Sequence, residues 1–178
     1  FRSRLRADTS GDAPFLTLDD GWLKQIAASG SSHRVNGATI NAGAISKDHF
    51  FAALEAMPTK YKSSGALRWV GSPTVIDRYA DYLSDRATAA GDAVLFNATT
   101  NSPRGIGYLR VPSMPNTRLL LTDPRNLVVV TTRDMRRRKT TEGREAVRRD
   151  VRFYALFLDH DAIVEEMDAV VDVYGLTA

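Results

Sequence analysis

The sequence predicts an α+β fold in which a body of helices and strands carries a long β-hairpin extension. Three observations predict it. Residues 46–57 and 73–83 place apolar side chains at helical spacing. Leu119-Leu120-Leu121 and Leu127-Val128-Val129-Val130 are short continuous apolar runs of strand length. Residues 133–152 then hold nine of the chain's 24 Lys and Arg residues, a density of charge that no single-domain core can bury. A strand pair this basic belongs on a surface, where it faces an acidic surface, nucleic acid or neighbouring copies of the chain.

Taken in order, residues 1–45 are rich in Gly, Ser, Asp and Asn and predict a mostly irregular lead-in, with a short helix over Trp22–Ala28. Ser46 caps a helix whose apolar stripe is Phe50, Phe51, Leu54 and Met57, and Pro58 stops it. Ala66–Val70 reads as a strand. Ser72-Pro73 pairs an N-cap with Pro at the first helical position and starts a helix striped by Val75, Ile76, Tyr79 and Leu83. Residues 87–104 form a long loop with one apolar knot, Val94-Leu95-Phe96, a length that suits mobility or binding. Ile106–Val111 is a strand and Pro112–Asn116 a rigid link. Asp123-Pro124-Arg125-Asn126 carries the residues of a tight turn, so 119–130 is expected as a hairpin buried on both faces. Phe153–Leu158 and Ala169–Tyr174 are the last strands. One core is expected to hold Phe50, Phe51, Leu54, Trp69, Ile76, Tyr79, Leu120, Val129, Phe157 and Val171.

The composition excludes several functions. At 178 residues, 43% hydrophobic and 25% charged, the chain can bury a full core, and no apolar run approaches the ~20 residues that cross a bilayer, so no membrane role is expected. With no cysteine there is neither a disulfide framework nor a thiolate site for zinc or iron–sulfur clusters. Asp159-His160-Asp161 has metal-ligand residue types, but adjacent strand positions face opposite ways, and a solvated turn is the simpler expectation. Gly105-Ile106-Gly107 is half of a dinucleotide fingerprint but leads into a strand, where phosphate binding needs a helix N-terminus. Glu165, Glu166 and Asp168 lack a partner base or nucleophile and read as a polar link. Trp69 and the Phe50/Phe51 pair could stack bases, but their apolar settings favour core packing. No catalytic, cofactor or metal residue is expected, and no enzymatic activity.

Charge is distributed unevenly although the net charge is only +3. Residues 133–152 hold nine basic and four acidic groups, whereas 153–178 hold six acids and no Lys or Arg. A basic and an acidic surface in different places suit head-to-tail contacts between copies. The expected assembly surface therefore comprises Arg133, Arg136, Arg137, Arg138, Arg148, Arg149 and Arg152, the acids Glu165 and Glu166, and the apolar knot Val94, Leu95 and Phe96.

Several short motifs, in their order along the chain, carry a resemblance. Ala66-Leu67-Arg68-Trp69-Val70-Gly71-Ser72-Pro73, Ala90-Gly91-Asp92, Pro103-Arg104-Gly105-Ile106, Pro112-Ser113-Met114-Pro115, Leu121-Thr122-Asp123-Pro124-Arg125-Asn126-Leu127 and Asp168-Ala169-Val170-Val171 resemble tailed-bacteriophage major capsid proteins of the Hong Kong 97 type. The resemblance spans residues 46–176 and rests on the succession of motifs. It implies an axial domain, a mixed sheet flanked by helices, in 46–132, strands of a peripheral domain in 133–157, and return strands to the axial domain in 158–178. It implies that the N-terminal arm, the extended loop and the long spine helix, which in the family precede the region matching Gly11 to Gly21, are missing from this chain, in keeping with its non-Met start. It further implies an icosahedral shell subunit that forms pentamers and hexamers around double-stranded DNA. Its partners would be other copies of itself, scaffold and portal proteins. The place of action would be the virion, assembled in the host bacterial cytoplasm. The alternatives are an encapsulin-like compartment shell and a nucleic-acid-binding module that uses the arginine hairpin.

Overall fold

The computed structural model describes residues 20–30, 33–85, 102–140, 144, 148 and 152–177. Four helices, α1 (Trp22–Ala28), α2 (Lys47–Ala56), α3 (Thr59–Lys62) and α4 (Pro73–Ser84), are interleaved with seven strands among the described residues. The strands are β1 (Arg34–Asn36), β2 (Arg68–Gly71), β3 (Tyr108–Arg110), β4 (Arg118–Thr122), β5 (Leu127–Thr140), β6 (Phe153–Val164) and β7 (Val170–Tyr174). Five strands form one sheet in the order β1-β7-β4-β2-β3, with parallel pairs at both edges and antiparallel pairs in the centre. β5 and β6 form a separate two-stranded antiparallel ribbon. The α+β class with a mixed sheet, helices and a ribbon is thus observed.

The alternation of side chains along the central strands divides the core in two. Leu119 and Leu121 of β4, Trp69 of β2 and Val171 and Val173 of β7 face one side, where α2 and α4 supply Phe50, Ala53, Val75 and Tyr79. Leu120, Val70 and Val170 face the other side and meet Trp22, Leu23 and Ile26 of α1, together with Ala162 and Val164 from the base of the ribbon. The expected single core is therefore two layers, one on each face of the sheet. Gly71 lies where a Cβ would come 2.9 Å from Leu119 Cδ1, so a side chain there would require Leu119 to shift.

Local signals act as the residue types require. Ser72 Oγ accepts a hydrogen bond from Val75 N–H at 3.2 Å, and Pro73 occupies the first turn of α4. α2 begins at Ser46, and its first turn is closed by His49, whose Nδ1 accepts from Ser46 N–H at 3.2 Å. The other ring nitrogen donates to the Gly37 carbonyl at 3.1 Å, so a fully buried imidazole ties the helix start to the preceding turn. Gly105, at φ +73°, ends a 3-10 turn just before β3, the tight-turn role expected for that glycine.

Four expectations are corrected. β4 and β5 do not pair: β7 and β2 occupy both edges of β4, and the 3-10 turn Pro124–Asn126 passes the chain out of the sheet into the ribbon. Val129 and Val130 are accordingly 44% and 43% exposed instead of buried. Phe51 and Phe157, expected in the core, are also exposed, because Phe51 lies off the buried face of α2 and Phe157 lies opposite Arg136 in the ribbon. Residues 159–161 are no turn but part of β6, which runs on to Val164. The described part of the lead-in supplies the edge strand β1 as well as the expected α1. The expected loop knot Val94-Leu95-Phe96 lies outside the described residues.

Candidate assembly surface

The ribbon leaves the body at a joint built from polar side chains. Asp123 accepts from Arg125 N–H at 2.9 Å and shapes the turn. Asn126, 7% exposed, donates from Nδ2 to the Glu166 carbonyl at 2.8 Å and accepts at Oδ1 from Glu166 N–H at 2.7 Å. Its own carbonyl accepts from Glu165 N–H at 3.0 Å, so one side chain and its backbone hold both ends of the ribbon together. α1 secures the opposite side. Trp22 Nε1–H is shared between the carbonyls of Val128 at 3.3 Å and Ile163 at 3.2 Å, and Gln25 donates to the Ala162 carbonyl and accepts from Val164 N–H.

α1 is itself held to the sheet by charge. Asp172, with no exposed surface, accepts from Arg34 Nε at 3.3 Å and lies 3.2 Å from Arg118 Nη2. The same guanidinium groups reach α1, Arg118 donating to the Leu23 carbonyl at 3.2 Å and Arg34 to the Ala27 carbonyl at 3.5 Å. Burial pushes the Asp172 carboxyl above its ordinary value, with Arg118 and Arg34 pulling the other way.

Beyond the joint, the register fixes which side chains share a face. Leu127 pairs with Val164 and Thr131 with His160; after two irregularities between Thr131 and Arg136 the ladder continues from Arg136 opposite Phe157 to Thr140 opposite Phe153. Such bulges strengthen the twist of a ribbon. One face of the outer part carries Arg136 and Arg138 with Phe153 and Phe157, and the other carries Arg137 and Lys139 with Tyr154 and Leu156. All of these are exposed, Leu156 by 65% and Tyr154 by 60%. The Arg138 guanidinium lies 5.8 Å from the centre of the Phe157 ring. Among the described residues, the ribbon arginines make no ion pair.

Of the expected surface residues, Arg136, Arg137, Arg138, Arg148 and Arg152 are exposed. Glu165 and Glu166 are exposed at the joint, where the acids end the ribbon that the arginines occupy further out. Within one chain these two groups are kept apart: ten residues of strand, roughly 33 Å, separate Leu127 at the joint from Arg137. The side chain of Arg133 and the whole of Arg149, Val94, Leu95 and Phe96 lie outside the described residues. Sequence reasoning missed the apolar half of the surface. Phe153–Leu158 read as an apolar strand and Phe157 as a core residue because that stretch contains no charge, whereas four of the five residues 136–140 opposite it are cations.

Among the described residues no group of three or more His, Asp or Glu side chains is placed to hold a metal ion, and no helix is long and apolar enough to cross a membrane. A cleft lined by Lys47, Phe50, Phe51, Leu54, Tyr79, Leu83, Pro103 and Arg104 has no Asp, Glu, His or Ser among these residues.

No family model matches the sequence, and no curated protein matches it. Solved structures do match. A chain of the satellite phage P4 procapsid that includes the size determination (Sid) protein is similar over 96% of this chain and 54% of its own, with a TM-score of 0.66 at 16% identity. The SrpI encapsulin complex from Synechococcus elongatus matches over 88% of this chain and 56% of its own, at TM-score 0.55 and 18% identity. The capsid of an empty GTA particle matches over 98% and 60%, at TM-score 0.53 and 14% identity. The chain therefore has the Hong Kong 97-type capsid fold that its motifs resemble, and it spans little more than half the length of these chains.

Proposed function

We propose that this chain is part of a structural subunit of a closed, icosahedral protein shell of the phage-capsid kind, self-assembling into pentamers and hexamers around double-stranded DNA, and is not an enzyme. In this reading residues 46–132 and 158–178 form the axial domain and 133–157 the peripheral one. The other partners are scaffold and portal proteins, and the subunit acts in the virion after assembly in the host cytoplasm. The observation that carries the reading is the ribbon: a projecting element, on a fold shared with shell proteins, whose two faces expose aromatic and aliphatic side chains beside arginines. Exposed apolar residues in such number mark a contact surface. Phosphate binding alone would account for the cations but leave Phe153, Tyr154, Leu156 and Phe157 unexplained, which disfavours the nucleic-acid module.

Likeness to an encapsulin supports a second reading, the same shell around a different content. One preparation separates the two. The full-length product carrying this chain is expressed, sedimented, imaged by electron microscopy and treated with nuclease. Closed particles with nuclease-protected double-stranded DNA are expected. Closed particles that hold protein instead identify a compartment shell, and a product that stays monomeric at every concentration contradicts both.

A further inference from the structure

The ribbon face turned away from α1 is complementary to itself when reversed. Ala162 and Val164 are buried toward α1, so the alternate residues Ile163 and Asp161, with Val128 and Val130 opposite them, look outward. Further out the same face carries Phe157 opposite Arg136, Ala155 opposite Arg138, and Phe153. From joint to tip the face thus reads apolar (Ile163), acidic (Asp161), the register pair Arg133–Asp159, cationic (Arg136, Arg138) and apolar again (Phe153). Asp161 is exposed, and its Oδ1 accepts from Ala162 N–H at 2.7 Å.

We infer that this face pairs with the same face of a second copy, antiparallel, about a two-fold axis near the middle of β6, with Phe153 of each chain on Ile163 of the other and Arg138 beside Asp161. Reversal brings unlike charges together and covers the exposed apolar residues at both ends. A parallel arrangement would keep Arg136 and Arg138 of both copies at one level along the ribbon and Asp161 of both at another, so unlike charges would not meet. The inference rests on the shell reading for its setting and names which surface of the neighbour the ribbon meets: the joint end of another ribbon, next to Glu165 and Glu166.

Disulfide trapping tests it, because the chain has no cysteine of its own. Within one chain residues 153 and 163 lie ten positions apart on one strand, about 33 Å, far beyond the reach of a disulfide. The full-length product is made with Phe153→Cys, with Ile163→Cys and with both, oxidised, and read on a non-reducing gel in the particle and soluble fractions alike. Antiparallel pairing predicts cross-linked dimers from the double variant and monomers from each single variant. Dimers from either single variant in equal yield, or monomers from all three, overturn the pairing. Monomers within intact particles do so while leaving the shell reading standing, whereas dimers without any particles sustain the pairing and remove the shell. Where the cysteine variants fold poorly, charge exchange replaces them: Arg138→Glu should lose the wild-type dimer seen by chemical cross-linking, and adding Asp161→Arg should restore it. No loss, or loss without restoration, again overturns the pairing.

Discussion

Trp69 and Asp172 lie on opposite faces of the same sheet and are held by different forces. Trp69 is wholly buried, and its ring meets Phe50 edge to face with centroids 4.9 Å apart. Its indole N–H has no hydrogen-bond partner among the described residues, so its contribution is packing. Trp69→Ala should cost about 3–5 kcal/mol, measured by chemical denaturation, and Trp69→Phe distinctly less, because the smaller ring keeps the aromatic contact and removes the unsatisfied donor. Asp172 is a matter of charge. A carboxyl whose folded pKa lies above its unfolded value stabilises the fold fully below the unfolded value, 3.8 here, and loses that contribution as pH rises through the folded one. The stability of the wild type relative to Asp172→Asn should therefore fall as pH rises above 3.8; a difference that is flat or rises with pH would mean that Arg34 and Arg118 outweigh burial. Trp69 was legible in the sequence as a core residue. The pairing of Asp172 with two arginines 54 and 138 positions away was not, since no local pattern links an acid inside an apolar strand to distant cations.

At the scale of elements, helices were read more faithfully than strand pairings. Ser46, Pro58 and Ser72-Pro73 mark helix ends through contacts within one turn, and α2 and α4 appear where those signals place them. Strand partners are chosen over long distances. Leu119–Leu121 and Val128–Val130 look alike in sequence, yet β4 lies between two strands in the centre of a sheet, and β5 enters a two-stranded ribbon that exposes side chains on both faces. Asn126 decides between these fates by holding Glu165 and Glu166 across the joint, where a plain hairpin turn would have folded β5 back on β4. Asn126→Ala leaves the Glu166 carbonyl and N–H without their side-chain partner and should cost about 1–3 kcal/mol. Hydrogen exchange should then quicken at Val128–Val130 and Ala162–Val164 more than in β4 and β7. Uniform quickening across both sheets would show that Asn126 supports the body and not the joint.

For the whole molecule, the account joins a body that buries its apolar surface to a ribbon that does not. The body has two packed layers around a five-stranded sheet. The arginines announced an exposed strand pair in the sequence. Phe157 opposite them was misassigned to the core because hydrophobicity alone does not tell a buried strand from one that waits for a partner. Assembly through the ribbon is the central claim, and replacing Arg136, Arg137 and Arg138 together by Glu in the full-length product tests it most directly. These side chains are exposed and make no ion pair among the described residues, so thermal unfolding of the unassembled subunit should move little. Sedimentation and electron microscopy of the variant beside the wild type should find closed particles from the wild type alone; particles formed equally well by the triple variant would contradict the claim.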